Sequence, residues 1–557
     1  MIIDKVRRTV ESWSIKYSLW PVHIVTACCG VEYAHAFGSG YDAERFGLLP
    51  MPSVRQCNLL VVEGAITRKM AKFIKWVYDQ MPEPKYVIAL GSCTLKGGVF
   101  WDSYNVVPVD KVLPVDVYVP GCPPTPEAIL RGVELLQRKI ENKIVIEKRE
   151  VLSKEIDIQH FFLEKEEVIS ESRKILTLII GPQHPGSGHM RLFIHLDGDV
   201  ITNVIPDPGF AHRGIEKVVE SREFISCIPI VERASIMDSA HMSLGYVMCI
   251  EKLLNLEVPE RAKYLRSIVC ELSRIGTHLY DIAILAIFLG HSTGYMWGFG
   301  LRDLLNEFFT RITGVRTTLT YMIPGGVRRD VRKRETFTEL LNFLNYLERK
   351  IERFKDIFLK NPAVMVRLRN VGILEKERAI ELGLVGPNAR ASGINYDTRR
   401  DVPYDAYPYV DFEVPILNDG DSYARTLIRF LEIKQSINII RQLVKNIPEG
   451  NIVDEELKYL VPEEWKKQWV TDVKGLMTVY LMIKLPKGEA ISRVEATRGL
   501  LLYHLISNGD SRPYRLRMIT PSLLNLRGMV EAMIGNRLAD IPAIYMSFGY
   551  FPPEFDR

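Results

Sequence analysis

Four of the eight cysteines in this 557-residue chain stand where sulfur could do chemistry. Cys28 and Cys29 are adjacent, inside His23-Ile-Val-Thr-Ala-Cys-Cys-Gly-Val-Glu32. Cys93 ends Val87-Ile-Ala-Leu-Gly-Ser-Cys, and Cys122 ends Val115-Asp-Val-Tyr-Val-Pro-Gly-Cys. The latter two follow short apolar runs of the kind that form buried parallel strands. In an open α/β sheet the carboxyl ends of the strands share one edge, where ligands bind. Three loops could therefore bring four thiolates to one point, and four thiolates are what an iron–sulfur cube requires. Free cysteine often only fills space, which is the reading for Cys57, Cys227, Cys249 and Cys270 in their apolar or helical surroundings. A disulfide framework does not suit a long chain with few cysteines and no export signal. Zinc knuckles of the C-x-x-C type are missing, and adjacent cysteines would strain one. Strand-end placement, with Gly and Pro beside the thiols, favours a cluster over packing.

Two loops hold groups suited to moving protons and placing charge. Gly181-Pro-Gln-His-Pro-Gly-Ser-Gly-His-Met-Arg191 lies between two apolar runs and carries His184 and His189. An imidazole can donate a proton to a reduced acceptor near neutral pH; His184 could equally cap its turn through a backbone hydrogen bond. Asp207-Pro-Gly-Phe-Ala-His-Arg-Gly-Ile-Glu-Lys217 opens a helix. Its Arg213 could put a fixed charge beside a cluster and raise the potential, or pair with a carboxylate.

The elements that must position these groups fall into two sets. Asn58–Val62, Lys85–Leu90 and Val115–Val119 read as strands, alternating with helices over about Ala65–Gln80 and Pro126–Ile140. That βαβ order implies a doubly wound parallel sheet over residues 1–142, with right-handed crossovers. Residues 143–174 are rich in Glu and Lys without a strong period and read as a charged linker. From residue 175 to 557 the expectation is a mainly helical α+β domain. It opens with strands Ile175–Ile180, Arg191–Leu196 and Val200–Ile205, turned at Asp197-Gly-Asp199. Helices are expected over Glu232–Asn255, Pro259–Leu289, Leu301–Thr313, Thr336–Lys360 and Asp421–Lys445. Val470–Lys484 and Val494–Met518 return to strands, with Ser507-Asn-Gly-Asp510 as a hairpin turn.

A net charge of +4 is a near-balance and leaves no nucleic-acid footprint. The first residues lack the apolar core of a signal peptide. The longest apolar stretch, Ile282 to Gly290, is bracketed by Asp281 and His291 and is too short to span a bilayer. A soluble or peripheral protein in a reducing compartment is expected. Gly38-Ser-Gly40 has neither a preceding strand nor the third glycine of a dinucleotide fingerprint, so no NAD or flavin is expected on this chain.

Cys28-Cys-Gly-Val-Glu32, Asp42-Ala-Glu-Arg-Phe-Gly47, Gly91-Ser-Cys-Thr-Leu-Lys-Gly-Gly98 and Val115-Asp-Val-Tyr-Val-Pro-Gly-Cys-Pro-Pro-Thr-Pro-Glu127 resemble the B-type subunit of NADH–quinone oxidoreductase, respiratory complex I. The resemblance implies one [4Fe–4S] cluster, with Cys28, Cys29, Cys93 and Cys122 as its ligands. The second half, through Val231-Glu-Arg233, Glu271-Leu-Ser-Arg-Ile-Gly-Thr-His278, Ala391-Ser-Gly-Ile-Asn-Tyr-Asp397 and Pro486-Lys-Gly-Glu489, resembles the D-type (49-kDa) subunit of that complex. One polypeptide thus resembles both, joined directly. The D-type subunit is similar to the large subunit of nickel–iron hydrogenases, so the second domain is expected to be of that type. The hydrogenase metal pairs would fall at Ser235 and Asp238 and at about Phe551 and Glu554. None is a thiol, so no nickel–iron centre is expected.

The resemblance further implies electron transfer to a quinone between the two domains, with His189, His184 and Arg213 at the site. Its partners would be other hydrophilic iron–sulfur subunits and integral membrane subunits, with no nucleic acid, and its place the cytoplasmic face of the cell membrane. The family's quinone tyrosine aligns with Ile236, the aspartate behind its histidine with about Phe288, and the histidine near the cluster with Thr318. That pattern also suits related complexes that reduce sulfane sulfur. A structural role without acceptor chemistry is the third reading.

Overall fold

The computed structural model describes residues 2–50, 53–142, 176–184, 188–460, 480–481 and 483–557. The expected charged linker lies outside the described residues, as does most of the expected strand Val470–Lys484; Tyr480 and Leu481 within it are helical.

Strands β1 (Pro21–Val25), β2 (Leu59–Glu63), β3 (Tyr86–Leu90) and β4 (Val117–Val119) form one parallel sheet in that order. All five residues of Leu-Leu-Val-Val-Glu in β2 are buried, as a strand covered on both faces must be. One face packs on helix Arg68–Gln80, where Met70, Phe73, Ile74 and Val77 meet Leu60, Val62 and Val87. The other face packs on helices Cys29–Ala36 and Pro126–Glu141, where Ile129, Val133 and Leu136 meet Leu59, Val61 and Ile88. Thr67 and Thr125 begin the two long helices by accepting hydrogen bonds from the amides of Met70 and Ala128. Pro126, in the first turn, loses no internal bond. The winding differs from the expectation. The strands add in sequence order from one edge, instead of outward from a central strand. β1 can lie at that edge because the second domain covers it: the Gln183 amide donates to Val25 O at 2.6 Å and accepts from Val25 N at 3.3 Å.

The second domain begins with an antiparallel sheet of β5 (Leu176–Ile180), β6 (Arg191–Asp197) and β7 (Val200–Asp207). Its core is helical: Ser239–Leu254, Glu260–Phe288, Ser292–Thr313, Arg334–Leu359 and Ser422–Asn446. Strands β8 (Gly488–Ala496), β9 (Gly499–Ser507) and β10 (Arg515–Ile519) form a second antiparallel sheet. The expected helix Glu232–Asn255 is shorter. Residues Glu232–Ala234 and Ile236–Asp238 are separate tight turns, broken by Ser235 in extended backbone. Tertiary partners hold the chain open there. Arg213 donates to the Arg233 carbonyl, and the Asp238 carboxylate is taken by Thr497.

The two domains meet along a long polar and charged seam. Thr67 Oγ1 donates to Phe210 O at 2.8 Å, Asn105 to His212 O at 2.7 Å and Tyr295 to Ala34 O at 2.7 Å. Lys69 pairs with Asp207 at 2.5 Å, Arg316 with Glu32 at 3.2 Å, and Arg302 donates to the His35 ring at 2.8 Å.

Candidate metal centre

The carboxyl ends of β1, β3 and β4 bring Cys28 and Cys29, Cys93 and Cys122 together. Cys28 begins the helix after β1, Cys93 lies in the short helix Ser92–Lys96 after β3, and Cys122 lies in the loop after β4. Ser92 ties the last two loops, donating from its amide (2.8 Å) and its hydroxyl (3.0 Å) to Gly121 O. The Cys28 and Cys29 thiols are hydrogen-bonded to each other, as are those of Cys93 and Cys122, and each pair feels the charge of the other. Cys28, Cys29 and Cys93 are buried and Cys122 is partly so. Two glycines make the room: a Cβ on Gly91 would lie 2.4 Å from Cys29 Sγ, and one on Gly98 2.9 Å from Cys93 Sγ.

Two guanidiniums face the sulfurs. Arg233 Nη2 donates to Cys122 Sγ at 3.2 Å. Arg213 is fully buried and donates to three carbonyls, Ala211 at 3.2 Å, Arg233 and Pro553 at 2.8 Å. With no carboxylate bonded to it, Arg213 is the fixed charge rather than half of an ion pair. Burial pulls its pKa down to about 10, against the attraction of Cys28 and Cys93. The Cys122 thiol is pulled down to about 5, first by the hydrogen bond from Cys93 and then by Arg233. Cys28 is lowered by its bond from Cys29, while Cys29 and Cys93, the donors, are pushed well up.

The donor set fits a cube. Thiolates are the ligands such clusters take, and a cation arriving here would displace the two protons that remain. Four thiolates around a cube leave a net negative charge, and Arg213 and Arg233 are placed to offset it. Among the described residues no three His, Cys, Asp or Glu side chains are gathered as one metal ion would need. A cube gives each of four irons its own thiolate, so its ligands need not converge on one ion. Cys57, Cys227, Cys249 and Cys270 are buried elsewhere in the core.

The two histidines are placed differently from each other. His189 is buried, its ring 6.4 Å from that of Phe551. Burial, with the positive fields of Arg213 and His23, pulls it down to about 3, so it is a neutral imidazole at physiological pH. It can hold or pass a proton through its N–H, but does not carry the extra proton that an acid near neutrality would. His184 is exposed, and its carbonyl accepts from Gly188 N at 2.8 Å, closing the loop. Arg233 had no role assigned from sequence; its signal was only its place in Val231-Glu-Arg233.

Family models carry the comparison further. That for the respiratory-chain NADH dehydrogenase 49 Kd subunit matches residues 289–557, and that for the NADH ubiquinone oxidoreductase 20 Kd subunit matches residues 27–136. The first of two D-type subunits of NADH-quinone oxidoreductase from Chloroherpeton thalassium is 35% identical over 387 residues, covering 69% of this chain and 87% of that protein. The D-type subunit from Dehalococcoides mccartyi strain BAV1 is 38% identical over 382 residues, covering 68% and 98%. The chain belongs to the D-type subunit family of NADH-quinone oxidoreductase. It carries a 20 Kd (B-type) domain in the same polypeptide, and that match spans all four clustered cysteines. As a family member it is an oxidoreductase-complex subunit. A chain of the membrane-bound sulfane sulfur reductase, an archaeal respiratory membrane complex, is 34% identical with a TM-score of 0.63, covering 69% of this chain and 98% of that one. No helix among the described residues is long and apolar enough to cross a membrane.

Within this D-type family member, the positions aligned with quinone residues are apolar or weakly polar. Ile236 and Thr318 are buried, and Phe288 closes its helix half-buried. The four positions aligned with hydrogenase metal ligands surround one guanidinium. Arg498 Nη1 donates to Ser235 Oγ at 3.3 Å and Glu554 Oε2 at 3.4 Å, and its guanidinium carbon stands 5.2 Å from the centre of the Phe551 ring. Asp238 adds its field to the same guanidinium.

Proposed function

We propose that this chain is the electron-delivering subunit of a complex-I-like membrane oxidoreductase, holding one [4Fe–4S] cluster and passing electrons to a quinone between its two domains. The observation that carries it is the meeting of four thiols from three loops against Arg213 and Arg233. Cys28, Cys29, Cys93 and Cys122 would hold the cluster, which when bound supplies one-electron transfer. Arg213 and Arg233 favour added negative charge there, and so the reduced state. The seam excludes water from the thiols, and the neutral His189 presents its ring on the acceptor side. Residues 1–142 form the cluster domain and 175–557 the acceptor domain, the segment between them acting as a linker. The chain sits peripherally on the cytoplasmic face of the membrane, with iron–sulfur and integral membrane partners.

A second reading changes the acceptor to sulfane sulfur. Ile236 and Thr318 remove a hydroxyphenyl and an imidazole from the seam, while Arg498 adds a guanidinium among the hydrogenase-type positions. The sulfane sulfur reductase chain is also similar over nearly its whole length. Iron analysis and EPR of the reduced full chain test the relay, expecting about four irons per chain. Turnover of the intact complex with a quinone or with polysulfide separates the acceptors. Well under four irons, with no EPR signal, would overturn the relay.

A further inference from the structure

Behind the seam, three buried side chains leave polar atoms without partners around Gly549. Arg429, Asp281 and Arg498 are each 2% exposed. Arg498 Nη2 donates to Asp281 Oδ1 at 2.6 Å. Arg429 Nη1 donates to Arg425 O at 2.7 Å, but its Nε stands 3.8 Å from Asp281 Oδ2, too far for a hydrogen bond. Among the described residues, Arg429 Nε and Nη2, Arg498 Nε and Asp281 Oδ2 have no hydrogen-bond partner. A Cβ on Gly549 would lie 2.5 Å from Arg429 Nη2 and 2.8 Å from Asp281 Oδ2, so the unpaired atoms share one small region.

Buried donors without acceptors are costly, and buried charges are ordinarily paired. Here two guanidiniums share one carboxylate. The neighbouring carboxylates do not supply the missing charge. Asp238 is already bonded to His241 and Thr497, and Glu432 to Arg390 and His278. Glu554 touches Arg498 only at 3.4 Å, and its buried carboxyl is pushed up towards the neutral form. Burial pulls Arg429 down, as an undercompensated cation should be. The site adjoins the metal centre through the chain itself: Ser235, which bonds Arg498, is two residues from Arg233, which bonds Cys122.

We propose that Arg429 and Arg498, positioned by Asp281, form a holding site for a small sulfur anion of the polysulfide and thiosulfate class. The inference rests on the relay reading and sharpens its second acceptor. A planar guanidinium offers forked N–H donors to such an anion, and a neutral quinone carbonyl leaves the excess charge uncompensated.

Calorimetric titration of the full chain, cluster reconstituted, with sodium thiosulfate at fixed ionic strength tests this. Saturable binding is expected. Arg429→Gln should weaken it about tenfold or more, the loss of one charge-assisted contact. Gly549→Ala keeps both charges but displaces the Arg429 tip, and should weaken binding too. Asp281→Asn removes the competing carboxylate and should tighten binding, whereas a purely structural Asp281 would weaken it. No saturable thiosulfate binding, or binding unmoved by Arg429→Gln and Gly549→Ala, overturns the proposal. Decylubiquinone binding weakened by these substitutions, without thiosulfate binding, assigns the site to a neutral quinone and also overturns it. Iron content and EPR of the same samples report on the relay separately, so a missing cluster and a missing anion site are distinguishable.

Discussion

Arg233→Gln should lower the reduction potential of the cluster. The Arg233 Nη2 to Cys122 Sγ contact is 3.2 Å, and the residue is only 6% exposed, so solvent and salt screen it little. Hydrogen bonds to charged groups contribute about 1.5–3 kcal/mol. For a one-electron couple a tenfold change in equilibrium is about 59 mV, so the full contact corresponds to about 60–130 mV. The sign follows from charge. Reduction adds an electron beside Cys122, and the guanidinium stabilises the reduced state more than the oxidised one. Glutamine keeps a donor and loses the charge, so the drop should fall within or somewhat below that range. Arg213→Gln should give a smaller fall, because Arg213 acts on the sulfurs by field alone while its N–H groups go to carbonyls. The assay is an EPR-monitored redox titration of the full chain, with iron content measured on the same samples. An unchanged or higher potential in Arg233→Gln, with iron retained, would refute the electrostatic role.

Cys93→Ser or Cys122→Ser should cut iron from about four per chain to near none, while Cys249→Ser, remote in the helical core, should retain it; iron analysis decides. Glu271 is fully buried and accepts from Arg399 at 3.1 Å, Tyr407 at 2.7 Å and Ser436 at 2.6 Å. Burial alone would raise its pKa, but Arg274 and Arg399 hold it far below the usual range. Its stabilisation is therefore present above the unfolded value near pH 4.5 and is lost as pH falls below that. Glu271→Gln should cost roughly 3–5 kcal/mol near neutrality, with a Tm deficit constant from pH 8 to about 5.5 that shrinks only below about pH 4.5. A protease site inserted between residues 143 and 174 should yield halves that still co-elute with iron. The seam bonds from Thr67, Asn105 and Arg302 do not depend on the connecting segment, and separation on gel filtration would count against a preformed interface.

What the sequence determined by itself was local. Apolar period and turn chemistry placed Pro259–Leu289, found as Glu260–Phe288, and the hairpin at Asp197-Gly-Asp199. They also placed Cys93 and Cys122 at strand ends, because a strand, its terminating glycine and the next residue are neighbours in the chain. What only the tertiary structure decided depends on partners far apart in sequence. Arg233 reaches Cys122 across 111 residues, and Arg213 reaches Pro553 O across 340. The expected helix over Glu232–Asn255 opens at Ser235 because Arg213 and Thr497 take bonds there. The sheet winds from one edge because Gln183 of the other domain covers β1. Arg498 stands among Ser235, Phe551 and Glu554 only once three remote segments dock. Periodicity records which face of an element is apolar, but not which distant polar group will meet it, and charge placement at this centre is of the second kind.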